Sequence, residues 1–144
     1  MPVRALIVLL SAFWVAGASA HTNEHFDRRP SPHGGQVRMA GPYHIELVAG
    51  ENQLTLYITD HADNPVQSAG GSAKAIVMTG KKRYVLVLAG VGDNKLEGTG
   101  EFTLGKPSRV TVIVKLPQAD SQLARFTLSR TRKAHSSRSH QHHQ

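Results

Sequence analysis

Cysteine is absent from all 144 residues. Disulfide staples and thiolate chemistry are therefore excluded, and an exported domain of this composition must be held by its core alone. Beyond its first twenty residues the chain also lacks helical periodicity of useful length, internal repeats and any coiled-coil pattern. There is no G-x-S-x-G elbow to present a nucleophile, and no phosphate-cradling glycine motif; Gly90–Gly100 is turn-rich and lies between strands. The chain reads as a non-enzyme. Acid is missing where base is dense: Ser129–Gln144 holds Arg130, Arg132, Lys133 and Arg138 and no carboxylate. Of the formal charge of +7, this tail carries +4 and Arg4 carries +1, which leaves +2 for His21–Leu128. That near balance predicts no basic binding face on the domain, and the tail of an exported chain is expected to meet lipid headgroups or a partner protein rather than nucleic acid.

The length allows one domain. Arg4, the apolar run Ala5–Ala16 and the A-x-A site Ala18-Ser19-Ala20 together read as an export signal over residues 1–20. The apolar run falls short of the roughly 20 residues that a membrane span needs, so the mature chain is expected to lack a transmembrane span and to be periplasmic or secreted. Residues 21–32 are polar, with Arg28, Arg29, Pro30 and Pro32, and read as a flexible leader. Residues 33–128 form the expected domain, and residues 129–144 a disordered, basic, His-rich tail.

The domain is organised around Tyr43–His61. Tyr43–Val48 and Gln53–Thr59 alternate apolar and polar residues on either side of Ala49-Gly50-Glu51-Asn52, the pattern of a β-hairpin. Closing that four-residue loop pairs Val48 with Gln53, Glu46 with Thr55, Ile45 with Leu56 and Tyr43 with Ile58. One face then carries Tyr43, Ile45, Leu47, Leu54, Leu56 and Ile58, and the other His44, Glu46, Thr55 and Tyr57. Further strands are expected around Gln36–Met39, Ala73–Met78, Lys82–Leu88, Lys95–Glu97, Glu101–Leu104, Arg109–Leu116 and Gln122–Leu128. Short strands with Gly/Pro turns near every ten residues predict an all-β, immunoglobulin-like β-sandwich of about seven strands, with a small barrel as the alternative.

The most informative chemistry lies on the hairpin's polar face. His44 and Glu46 share one strand face about 7 Å apart. His33 and His61 occupy neighbouring turns. Imidazole and carboxylate suit zinc and divalent copper, so His33, His44, Glu46 and His61 are the candidate metal ligands. Met39 and Met78 read as core filler ahead of soft ligands. The tail histidines His135, His140, His142 and His143 offer weak, unselective metal binding, and His21 with His25 a copper clasp if cleavage follows Ala20.

His33-Gly34-Gly35, Tyr43–Val48, Leu56–His61, Asn64-Pro65-Val66 and Gly71–Ala75 together resemble the His-Gly-Gly-led periplasmic β-domain of heavy-metal efflux adaptor proteins, and more distantly the YtkA/FixH-like domains. The resemblance spans roughly His33–Leu128. It implies an immunoglobulin-like domain in heavy-metal resistance, a copper or zinc ion as its ligand and a heavy-metal efflux complex as its partner. The long helical hairpin and lipoyl-like region of the adaptors are missing, so the chain is not itself a pump adaptor. A periplasmic metal-binding accessory protein is the first functional expectation. A non-metal envelope interaction module on the same fold is the second.

Overall fold

The computed structural model describes residues 22–105 and 107–128. The expected signal peptide, His21 and the tail lie outside the described residues. The elements, in chain order, are α1 (Thr22–Asp27), β1 (Gln36–Ala40), β2 (Tyr43–Ala49), β3 (Gln53–Asp60), β4 (Ser72–Thr79), β5 (Lys82–Gly92), β6 (Lys95–Thr99), β7 (Ser108–Lys115) and β8 (Gln122–Leu128). The eight strands form one antiparallel sheet in the order β1-β2-β3-β6-β5-β4-β7-β8. Hairpin-linked β4, β5 and β6 are inserted between β3 and β7, and β7 returns to lie beside β4, a Greek-key arrangement.

The sheet curls until its two edges meet. Seven seams are backbone ladders. Across the eighth, the Gln36 side chain completes what a ladder would supply. Its Nε2 donates to the Thr127 carbonyl at 3.3 Å, and its Oε1 accepts from the Thr127 N–H at 3.2 Å. The result is an all-β, nearly closed barrel. The expected two-sheet division is not specifically seen, because every strand belongs to one continuous hydrogen-bonded order.

Alternation places the core as the sequence pattern predicts. Ile45, Leu47, Leu54, Leu56, Ile58, Val77, Leu88, Val112 and Val114 are buried inside. The hairpin register is offset by two residues from the expected one. Ile45 faces Ile58, Glu46 faces Tyr57 and Leu47 faces Leu56, because the loop closes from Gly50 N–H to the Gln53 carbonyl at 2.8 Å. An even offset leaves each side chain on its predicted face. Three segments differ in kind. Lys82–Gly92 continues as one strand through a bulge at Gly90–Gly92, where a turn from Gly90 is expected. Glu101–Leu104 is no strand: it crosses the barrel end, burying Phe102 in the core, and its Thr103 carbonyl accepts from Thr79 Oγ1 at 2.6 Å. Within the expected leader, Thr22–Asp27 is a helical turn tied to β1 by the Asp27–Arg38 ion pair at 2.8 Å. No helix among the described residues is long and apolar enough to cross a membrane.

Candidate functional site

The outer face of β1–β3 carries the site, and it is not an ordinary solvent face. The segment leading into β1 folds back over it and buries Glu46 to 5 % exposure. The His-Gly-Gly sequence is what makes this fold-back possible. Gly34 takes a left-handed conformation at φ 76°. Gly35 lies so close to β2 that a Cβ there would stand 2.3 Å from the Leu47 carbonyl oxygen. The turn thereby aims two backbone N–H groups at one carboxylate. Glu46 Oε1 accepts from His33 N–H at 2.9 Å and from Gly35 N–H at 3.0 Å, while Oε2 lies 2.8 Å from His33 Nδ1. Burial pushes the Glu46 carboxyl up, but the His33 ring, the Gly35 and His33 N–H groups and the Ser31 hydroxyl together outweigh it and hold the group below the usual glutamate range.

His33 completes this cluster. Its ring lies flat on Tyr57, with centroids 3.6 Å apart and planes within 2°. Tyr57 is the cross-strand neighbour of Glu46, so the imidazole spans that pair, bonded to one member and stacked on the other. With the carboxylate as acceptor, Nδ1 carries a proton, and in the neutral ring Nε2 is the nitrogen with the lone pair.

A second imidazole–carboxylate pair sits two residues away along β2. His44 Nδ1 is 3.1 Å from Asp63 Oδ1. Asp63 reaches it because Asp60 winds the following loop tightly: Asp60 Oδ1 accepts from the Ala62 and Asn64 N–H groups at 2.8 and 2.9 Å, and Oδ2 from Asn64 Nδ2 at 3.0 Å. Hydrogen bonds from the Asn64 side chain and backbone and from the Ala62 N–H hold the Asp60 carboxyl below its ordinary range against a smaller desolvation effect, with help from the neighbouring His61. Asp63 itself takes a left-handed φ of 63°. The same turn brings His61 onto His44, with ring centroids 5.1 Å apart. His61 Nε2 donates to the Gly41 carbonyl at 3.1 Å. Phe26 of α1 meets His44 edge-on at 4.8 Å.

His33, His44, Glu46, Tyr57 and Asp63 line one cavity of about 260 Å³, which Phe26 and the Pro30–Pro32 segment close on the other side. The four expected ligands therefore divide by role. His33 and His44 share the cavity, each with its Nδ1 on a carboxylate. Glu46 spends both oxygens on the His-Gly-Gly turn. His61 backs His44 from outside. Among the described residues no three His, Cys, Asp or Glu side chains gather closely enough to hold a metal between them. Met39 and Met78 are not part of this cavity's lining. Phe26 and Asp63 escape sequence reasoning because they reach His44 through a leader turn and a loop fold-back. The Asp60-x-x-x-Asn64 turn chemistry is the one local signal that could have pointed to Asp63. No protein-family model, curated protein or solved structure matches the chain.

Proposed function

We propose that this is a periplasmic accessory protein of heavy-metal resistance or efflux that carries copper or zinc as cargo at the β1–β3 cavity, with His33 and His44 as the metal-binding side chains. One observation carries the reading. Two imidazoles line a single cavity, and each has its Nδ1 against a carboxylate, Glu46 or Asp63. That contact fixes the tautomer and is the usual outer support of a histidine that binds metal. In this reading Glu46 and Asp63 orient the ligands and do not themselves bind. Two imidazole donors leave the remaining positions of a four-coordinate ion for water or for groups on a delivering or receiving protein, which suits a carrier better than a closed structural site. The His-Gly-Gly turn is then the cradle that builds the His33–Glu46 pair. The immunoglobulin-like kinship implied by that motif belongs to the same proposal.

The test is a calorimetric titration of the whole chain and of His33→Ala/His44→Ala with zinc and with divalent copper. The tail histidines are common to both proteins, so the difference isolates the cavity. The expected result is a tight phase present only in the unsubstituted chain. Identical isotherms would turn the reading toward an interaction module without a metal.

A further inference from the structure

The balanced charge over residues 21–128 conceals a segregation that strand order creates. β5, β4, β7 and β8 are adjacent in the sheet. They contain six cations and no acid. Lys74, Arg83, Arg109, Lys115 and Arg125 alternate with the buried residues of their strands and so stand on the outer face. None of these five forms an ion pair with a described residue. At the seam with β6, Glu97 lies opposite Ala89 but is held by Lys95 at 2.8 Å. The expectation of no basic face, drawn from the total charge, is corrected here: the acids of the domain lie in the other strands and the loops.

The same face exposes apolar side chains in rows. Register sets Val87 beside Lys74, Lys74 beside Ile113, and Ile113 beside Leu123. The next row runs Val85, Ile76, Thr111, Arg125. Val87 is 73 % exposed and Val85 45 %. Single exposed aliphatics are ordinary, but rows that mix exposed Val85, Val87 and Leu123 with half-buried Ile76 and Ile113, threaded with cations that no described acid pairs, form a continuous amphipathic surface over four strands, roughly 15 Å across.

We propose that this face docks the protein on an anionic phospholipid surface. The aliphatic stems of Lys and Arg can lie along the valine and isoleucine rows while their charged ends meet phosphate. The short apolar side chains enter the headgroup layer. A protein partner is the less fitting occupant. Protein interfaces centre on aromatic anchors and fitted pockets, whereas the outward positions of these strands carry no aromatic residue. The two described cavities lie elsewhere, on β1–β3 and between Gly50–Asn52 and Phe102–Leu104. In a ring of eight strands β4 stands four places from β2. Docking through β4 therefore turns the His33–His44 cavity away from the lipid and toward solvent. The docking face acts independently of metal binding in the cavity.

The test is flotation of the purified protein with vesicles of phosphatidylcholine, with and without about one-third phosphatidylglycerol. Binding is expected only to the anionic vesicles, and about 0.5 M NaCl should release most of it. Lys74→Glu/Arg125→Glu should lower the bound fraction by roughly tenfold or more, with an unchanged thermal melt. Should that variant fail to fold, Lys74→Gln/Arg125→Gln takes its place and should lower binding by about threefold or more. Absence of flotation with anionic vesicles would overturn the proposal. So would undiminished flotation of the charge variants, which would place the binding in the basic residues after Leu128. Capture by polyglutamate in the absence of vesicle binding would overturn it in favour of an acidic protein.

Discussion

Glu46 grips His33 at two points. One carboxylate oxygen accepts the His33 backbone N–H at 2.9 Å and the other meets the ring Nδ1 at 2.8 Å. A single β2 side chain thus fixes both the path of the His-Gly-Gly turn and the tautomer of its imidazole.

Acid should loosen this turn. The folded-state pKa of Glu46 is lowered, so its contribution to stability is fully present above the unfolded value, about 4.3. That contribution is lost as pH falls through the lower folded value. Melting temperature plotted against pH should therefore decline below about pH 4.5. Glu46→Gln should flatten that part of the curve. Because it also leaves the buried N–H groups less well satisfied, it should lower stability near neutrality by about 1–3 kcal/mol.

Gly35 should not tolerate a side chain. A Cβ at 2.3 Å from the Leu47 carbonyl oxygen must displace backbone, and overpacking of this kind costs about 1–3 kcal/mol. Chemical denaturation of Gly35→Ala should show that loss, together with weaker protection of the backbone amide at position 35 from hydrogen exchange.

Among the described residues, one side chain makes both hydrogen bonds between β1 and β8. Gln36→Ala removes both bonds to Thr127, each worth about 0.5–1.5 kcal/mol net. Hydrogen exchange at the Thr127 amide should accelerate strongly, while amides in the centre of β4 keep their protection. Unchanged exchange at Thr127 would show that β1 and β8 are held by other contacts.

Core and outer face should respond differently to truncation. Leu56 is fully buried, so Leu56→Ala should cost about 2–5 kcal/mol through lost burial and a residual cavity. Val87→Ala, on the outer face of β5, should stay within about 0.5 kcal/mol. Equal costs from denaturant titrations would contradict the inward and outward assignment.

These contrasts mark what was legible in the sequence. Alternation in Tyr43–Ala49 and Gln53–Asp60 fixes which residues face inward, since any even slip preserves the faces. It does not fix the pairing, which waits on Gly50 closing against Gln53. Glu101–Leu104 has the composition of a strand, yet the topology needs that stretch to cross the barrel end between β6 and β7. His33, His44, Glu46 and His61 stand out by residue type. Their roles do not, because Glu46 becomes buried only when residues 31–35 fold over it. The basic face was hidden for a similar reason: a total charge carries no information about which strands become neighbours.

The account's central claim is that His33 and His44 present paired Nε2 lone pairs to a metal. Imidazole nitrogen NMR of the full chain tests it most directly. Before metal, both rings should show the Nδ1–H tautomer, because each Nδ1 meets a carboxylate. Sub-stoichiometric zinc should then shift the Nε2 signals of His33 and His44 ahead of those of His61 and the tail. The shift should reverse in acid, where protons compete with the metal. Glu46→Gln should weaken the interaction about 10–100-fold. Zinc perturbing only the tail histidines, with the His33 and His44 nitrogens unmoved at saturation, would contradict the claim.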